Sequence, residues 1–391
     1  MSEPNGAPLG IDAGAPDSAP EIAHNGEAQG DRRSSQPLSE KTSTPHSVKT
    51  GWDGKLRVEK KAVVKNAEAV EDSDQDVESE DELPGETIAA DEDLLDDEDP
   101  ETEEIEAQHS RISSIPSLRL ERFPKLARLG LRQNLIQSID GLPDSLAPTL
   151  TELELYDNLI SHIRHLEPFT ALRSLDLSYN KIRHIKHIDH LKNLTHLYLV
   201  QNKISKIEGL EGLEKLEYLE LGANRIREIQ GLETLKGLTQ LWLGQNKIAS
   251  LQGLSTCRTL RTLSIQANRI ESLEGLEELP QLEELYISDN LVTSLAPLVH
   301  NPNITILDVQ NNPIEKLDGI EGLKQLENFW ASGCKLTRFE EVERALKDKE
   351  SLSEVYFEAT PLQRQNEVLY RNKVRLALPQ VTKIDATYVR A

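Results

Sequence analysis

From Leu118 onward the apolar positions of the chain fall into one frame, L-x-x-L-x-L-x-x-N-x-I, which keeps returning until close to the end. Its asparagines are Asn134, Asn158, Asn180, Asn202, Asn224, Asn246, Asn268, Asn290 and Asn312, spaced by 22 residues after a first step of 24. Two further units, LENFWASGCKL and LSEVYFEATPL, keep the leucines but put Cys334 and Thr360 in the asparagine position. A degenerate unit, HSRISSIPSLRL, precedes the first, for a total of about twelve. In L-x-L the two leucines share one face of a short strand and the residue between them lies on the other, because side chains alternate with period 2. The leucines and the isoleucine of N-x-I are therefore predicted to stack into a core. Each asparagine is predicted to hydrogen-bond backbone groups of the turn that would otherwise be buried unpaired. After N-x-I comes another apolar position and then usually Gly-Leu, as in IEGLEGLEKL, which leaves room for a tight turn and one or two helical turns.

Nine asparagine-bearing copies of such a unit are the leucine-rich-repeat signature. The predicted fold is α/β: a leucine-rich-repeat solenoid with a concave parallel β-sheet, short convex helical turns, a C-terminal cap and a disordered acidic N-terminal arm. The boundaries read from the pattern are 1–106 for the arm, 107–363 for the solenoid and 364–391 for the cap. Each unit touches only its neighbours, so both ends need covering. At the C-terminal end, QNEVLYRNKVRLAL places Val368, Leu369, Val374, Leu376 and Leu378 in a helix-compatible apolar pattern that Pro379 ends, with Arg371, Lys373 and Arg375 solvated. At the other end the irregular unit around Ile112 to Leu120, with the acidic segment before it, is expected to form a weaker cap.

Composition sets the arm apart. Residues 1–106 are rich in Pro, Gly, Ser, Ala and Asp/Glu, with too few apolar groups to offset the entropy of folding. The chain has 67 acidic and 44 basic side chains, a formal net charge of -23. Glu71 to Glu106 alone hold 20 Asp or Glu and no Lys or Arg, which leaves the remainder near neutral. Such a segment repels nucleic acid and anionic membrane and favours basic protein partners. Within the arm, GWDGKLRVEKKAVVK is a basic, partly apolar island suited to import or docking, and Ser73 and Ser79 sit among carboxylates as an acid-directed kinase requires. Cys257 and Cys334, far apart and without metal-type spacing, argue against a disulfide framework or a cysteine zinc site. The opening MSEPNGAPLG lacks a basic flank followed by an apolar run, and no stretch approaches the ~20 apolar residues of a membrane span. A soluble intracellular protein, with no membrane or nucleic-acid partner, is the expectation.

Chemistry of an enzyme is not apparent. No phosphate-cradling GxxxxGK or GxGxxG, no GxSxG and no HExxH occurs, so the expectation is a non-catalytic chain without a cofactor. Six of the ten histidines lie between residues 162 and 196, and His162 and His184, like His165 and His187, hold equivalent places in successive repeats. Adjacent turns bring such residues close enough for a metal, but their counterparts elsewhere are Lys206, Glu228 and Ser250, or Gly209 and Gly231, which marks exposed turns and favours no metal. The mid-strand position carries more information. It reads Gly130, Glu154, Asp176, Tyr198, Glu220, Trp242, Ser264, Tyr286, Asp308, Trp330 and Tyr356, five aromatics among eleven in a chain with 16 aromatics. From Asp176 to Trp330 polar and aromatic residues alternate strictly. Outward-facing rings are the usual anchors of protein interfaces, and Asp176, Glu220 and Asp308 between them are expected to select a partner with basic groups. Nucleic acid would want Lys and Arg there instead.

The 22-residue unit, the motif LxLxxNxIxxIxGL and the ending LALPQVTKIDATYVR resemble the leucine-rich-repeat regulatory subunits of protein phosphatase 1, the fungal suppressor-of-dis2 family. The likeness covers roughly residues 108 to 391, with LRQNLI, LYDNLI, LVQNKISKIE and LGANRIR close to the family's text. It implies a subunit that grips the phosphatase catalytic subunit with its concave face, through Asp176, Tyr198, Glu220, Trp242, Asp308, Trp330 and Tyr356. Where Tyr198 and Trp242 stand the family commonly has Phe, and Asn328 stands where an acid is expected. The short basic-Val-x-Phe/Trp docking segment of many phosphatase 1 regulators is missing, since LRVEKK and KAVVKN lack the aromatic. The resemblance further implies a second inhibitor protein as co-partner, nuclear and cytoplasmic residence, and a role in maturation of the phosphatase and in mitosis. An adaptor of the same repeat class for a splicing or cytoskeletal partner is the rival reading.

Overall fold

Each L-x-L segment forms a three-residue strand that pairs in parallel with the strand one repeat away. The strands are β1 (Glu104–Glu106), β2 (Arg128–Gly130), β3 (Glu152–Glu154), β4 (Ser174–Asp176), β5 (His196–Tyr198), β6 (Tyr218–Glu220) and β7 (Gln240–Trp242). They continue as β8 (Thr262–Ser264), β9 (Glu284–Tyr286), β10 (Ile306–Asp308), β11 (Asn328–Trp330) and β12 (Glu354–Tyr356), and the hairpin β13 (Lys383–Ile384) and β14 (Thr387–Tyr388) closes a single sheet of 14 strands in sequence order. The register is constant: Leu175 stands opposite Leu197, Leu197 opposite Leu219 and Leu219 opposite Leu241. This computed structural model describes residues 94–389, which lie in a unit spanning residues 81–391. The basic island and Ser73 and Ser79 fall outside the described residues.

One repeat shows how the core is built. Leu219, Leu221, Ile226, Ile229, Leu232, Leu235 and Leu238 are all buried, stacking on their equivalents in the repeats on either side. The asparagine closes the turn. Asn202 donates from Nδ2 to the carbonyls of Leu199 (3.2 Å) and Val200 (3.2 Å) in its own repeat and of Leu177 (3.0 Å) in the one before, while its Oδ1 accepts the Ile182 N–H (3.0 Å). One side chain thus satisfies four buried backbone groups and staples two repeats together. Where asparagine is absent the donor survives: the Cys334 thiol donates to the Val309 carbonyl (3.2 Å) and the Thr360 hydroxyl to Phe357 (2.6 Å). The residue before each ladder position is left-handed, and most are not glycine, as at Gln201 (φ 52°), Ala223 (φ 53°) and Gln245 (φ 56°). That conformation costs on the order of 1 kcal/mol per residue, and the asparagine bonds beside it offset the cost.

The convex side returns in short 3-10 turns, such as Leu276–Glu278 and Ala296–His300, as expected for so small a repeat. The unit between β11 and β12 is longer and holds a full helix, α1 (Phe339–Leu346), which buries Val342, Ala345 and Leu346. At Gly209 (φ 69°) the turn passes so near the preceding repeat that a Cβ would meet the Ile185 carbonyl. His165 (φ 61°) and His187 (φ 59°) hold the same left-handed place, consistent with their reading as turn positions.

Both ends correct the sequence reading. Order begins before residue 107: Glu104–Glu106 form β1, Ile105 and Leu95 are buried, and Asp96, Glu101 and Glu104 pair with Arg122, Lys125 and Arg128 of the first full repeat. Ser110-Arg111-Ile112 takes the N-x-I place, with Asn134 Oδ1 accepting the N–H groups of Ser110 (3.1 Å) and Ile112 (3.1 Å). The strand that must precede it is therefore Glu-Ile-Glu, an alternating segment concealed in a run of acids. At the C-terminal end the helix is shorter than expected. Following a four-residue turn, α2 (Pro361–Arg364), α3 spans Tyr370–Ala377, and of the five apolar residues proposed as its covering face only Val374 and Leu378 are buried. Val368 is 93% exposed and Leu376 79%, because the helix turns Tyr370, Val374 and Ala377 inward instead. Tyr370 donates to Asp385 Oδ2 (2.7 Å), whose Oδ1 accepts the Phe357 N–H (2.8 Å), and this bridge fastens the cap to β12. Arg371, expected to be solvated, donates to the Ile384 (2.9 Å) and Thr387 (3.1 Å) carbonyls. Among the described residues no helix is long and apolar enough to cross a membrane.

Candidate protein-binding face

Each strand presents two residues on the side away from the core: the mid-strand position identified above and, two residues earlier, the strand's first residue. Both rows contribute rings. Tyr198 contacts Tyr218 (ring centroids 5.0 Å apart), which also meets His196 (5.9 Å) and Trp242 (6.2 Å). Trp242 stacks on Tyr286 (6.2 Å, planes 20° apart), Tyr286 meets Trp330 (6.2 Å) and Trp330 meets Tyr356 edge-on (6.0 Å, 79°). The rings from His196 to Tyr356 thus form one unbroken ribbon across eight strands, β5 to β12. Parallel strands lie about 4.8 Å apart, so Trp242 and Tyr286, two strands apart, must lean toward each other to touch. His196 and Tyr218 belong to the first-residue row and were missed by reading the mid-strand position alone; the same period-2 alternation assigns them to this face.

That leaning covers the polar residues between. Ser264, under Trp242 and Tyr286, is 4% exposed, and Asp308, under Tyr286 and Trp330, is 5% exposed. Asp308 is therefore not the exposed carboxylate that alternation suggested. Its Oδ1 accepts the Gln310 N–H (3.1 Å) and the Gln310 side-chain amide (3.2 Å), and burial raises its pKa above the usual aspartate range. Glu220 is half-buried beside Tyr218, whose hydroxyl donates to it (3.0 Å), and desolvation raises its pKa despite that bond. Asp176 stays partly exposed at the end of the ribbon, its Oδ1 accepting the Ser178 N–H (2.9 Å). Tyr198, Trp242, Tyr286, Trp330 and Tyr356 are all half-buried. The indole N–H groups of Trp242 and Trp330 are occluded and have no hydrogen-bond partner. Burial, and the neighbouring Glu284 and Asp308, push the Tyr286 hydroxyl far up as well.

The N-terminal part of the face differs. Gly130 lies where the Glu106 side chain crosses its Cα, and Glu154 pairs with Arg132 (2.5 Å). The histidines weighed as metal ligands fall on the turns: His165 pairs with Asp140 (2.6 Å), His184 with Glu208 (3.0 Å), and His162 bonds Ser161 (3.0 Å). Among the described residues, no three His, Cys, Asp or Glu side chains gather as a metal site requires. Cys257 and Cys334 are buried free thiols, and desolvation pushes both up to about 11.

Leucine-rich-repeat family models match residues 124–182, 148–204, 192–234, 214–256, 258–300 and 300–320. The chain is 40% identical over 135 residues to a protein of Saccharomyces cerevisiae named protein phosphatase 1 regulatory subunit SDS22, covering 34% of this chain and 40% of that one. It is 52% identical over 80 residues to the Schizosaccharomyces pombe protein of the same name, covering 20% and 23%. The matched stretches therefore span less than half the length of these relatives. Among solved structures, an internalin from Listeria monocytogenes superposes with a TM-score of 0.57 at 21% identity, over 77% of this chain and 89% of that one. A leucine-rich-repeat protein of Leptospira interrogans gives 0.53 at 24%, over 67% and 73%. At such identities the superpositions speak for the fold alone.

Proposed function

This chain belongs to the leucine-rich-repeat family, and from that premise we propose that it is a non-catalytic regulatory subunit that binds the catalytic subunit of protein phosphatase 1. The observation that carries the reading is the ring ribbon from His196 to Tyr356, on a chain whose relatives bear the name of phosphatase 1 regulatory subunits. Rings held half-open by a rigid sheet are low-entropy anchors, since little rotamer freedom remains to be lost on contact. Tyr198, Trp242, Tyr286, Trp330 and Tyr356 act as the anchors, and Asp176 and Glu220 select basic groups at the ribbon's end. Asp308 acts from beneath, fixing the lie of Tyr286 and Trp330. In a solenoid of this class the strand face is the concave one, so the partner is enclosed by the sheet. The fuller role is control of the phosphatase's maturation, activity or location in mitosis, in nucleus and cytoplasm, together with a second inhibitor protein.

Affinity capture from cell extract with the full chain tests the partner's identity. The main captured protein is expected to be the phosphatase catalytic subunit, and the purified chain alone is expected to show no phosphatase turnover. A splicing or cytoskeletal protein as main partner would replace this reading with the adaptor one.

A further inference from the structure

The edge of the sheet where the strands run into their asparagine turns carries a charge pattern unlike the rest of the chain. The residue after the ladder asparagine is Lys181, Lys203, Arg225, Lys247 and Arg269 in five consecutive repeats, whereas the repeats on either side put Leu159 and Leu291 there. The residue before the asparagine reads Gln201, Ala223, Gln245 and Ala267 along the same stretch, so long cations stand over a floor of amides and methyls. Two grooves run along this edge. One, of about 480 Å³, is lined by Tyr179, Lys181, Gln201, Lys203, Ala223 and Arg225 among others; the other, of about 510 Å³, by Arg227, Lys247 and Arg269, with one carboxylate, Glu228, among them. Lys203, Arg225 and Lys247 make no ion pair with any described carboxylate, although their chain carries a net charge of -23. The carboxylates of the same row, Asp157 and Asp289, stand at its two ends. Beside them Tyr179 (43% exposed) and Leu291 (50% exposed) add apolar surface at each end.

We propose that this edge is a second interaction surface, separate from the ring ribbon, that takes an extended acidic peptide segment of a partner protein. Five cations one strand apart span roughly 20 Å, the reach of about six extended residues. Carboxylates of such a segment pair with Lys203, Arg225 and Lys247 at the centre of the row, the Gln201 and Gln245 amides meet its backbone, and an apolar residue at either end packs on Tyr179 or Leu291. A peptide fits better than nucleic acid. A polyphosphate approaching this chain meets the field of the whole acidic molecule, whereas a short acidic segment carries few charges and gains apolar contacts at Tyr179 and Leu291 that phosphates do not make.

The test uses the full chain and a fluorescein-labelled, glutamate-rich peptide of about ten residues with leucine at both ends. Binding is read by anisotropy across a salt series, beside a duplex DNA oligonucleotide. Wild type is expected to bind the peptide more tightly than the DNA, with affinity falling as salt rises. Lys203→Glu/Arg225→Glu/Lys247→Glu is expected to weaken peptide binding at least tenfold, with an unchanged melting temperature and unchanged capture of the ribbon's partner. Should the reversal disturb folding, the corresponding triple change to Ala must still weaken binding severalfold. Equal peptide affinity in wild type and a folded triple variant, no binding by wild type, or a preference for DNA overturns the proposal. Since the readout is a peptide, it stands or falls apart from the phosphatase reading.

Discussion

The asparagine ladder and the ring ribbon run through the same repeats with the same spacing and obey opposite rules. In the ladder every polar atom is used: Asn246, for example, donates to three carbonyls and accepts one N–H, all within or between repeats. In the ribbon polar atoms are stranded, with two indole N–H groups occluded and unpartnered and two carboxylates, Glu220 and Asp308, held in surroundings that disfavour their charge. An unmet polar group costs about 1–3 kcal/mol when buried. A surface selected only for stability would shed such groups. The contrast separates a row whose polar groups are spent inside the solenoid from a row whose polar groups are not, although both repeat every 22 residues.

Breaking the ladder has the largest expected effect on stability. Asn246→Ala removes partners from four backbone groups and should lower the unfolding free energy by roughly 2–4 kcal/mol in denaturant titration, while the fraction that remains folded still captures the partner. Next is the N-terminal cap, where Ile105→Ala should cost about 2–4 kcal/mol if β1 seals the core, and almost nothing if residues before 107 are a free arm. The ribbon should respond in the other direction. Glu220→Gln keeps the acceptor for the Tyr218 hydroxyl and removes a disfavoured charge, so it should raise the melting temperature at neutral pH while weakening partner binding. The sign follows from the raised pKa: the folded state holds the proton more tightly than the unfolded state, so the wild type is penalised in full above the folded pKa. That penalty fades as pH falls into the ordinary glutamate range, and the two melting curves should converge near about pH 4. The smallest effect belongs to the exposed pairs at the cap. Lys125→Ala should leave the denaturant midpoint essentially unchanged, since exposed ion pairs such as Lys125–Glu101 are worth little, and a clear loss would mean the arm is fastened by its charges rather than by Leu95 and Ile105.

What was legible in the chain was whatever the repeat expresses in one position at a time. The 22-residue frame, the strand face and the ladder all follow from leucine and asparagine spacing, because each of those residues acts inside one turn or on its immediate neighbour. Asp308 escaped because its burial depends on Tyr286 and Trp330 leaning over it from strands 22 residues before and after, a matter of side-chain direction rather than spacing. Tyr218 and His196 escaped because the mid-strand position is only one of the two outward positions that the alternation supplies on each strand. β1 escaped because Glu-Ile-Glu offers a single apolar residue amid carboxylates, and only the place of Ser110 and Ile112 under Asn134 identifies it. Tyr370 escaped because its value lies in the hydroxyl bond to Asp385, which no apolar count registers.

The most direct test of the ribbon is capture of the phosphatase catalytic subunit by Trp242→Ala/Trp330→Ala, measured by isothermal titration beside a thermal melt of the same sample. The account predicts a cooperative transition near that of wild type and a loss of affinity of at least a hundredfold, as removal of two anchor rings of ~2 kcal/mol each implies. Unchanged affinity in a variant that melts cooperatively would contradict it.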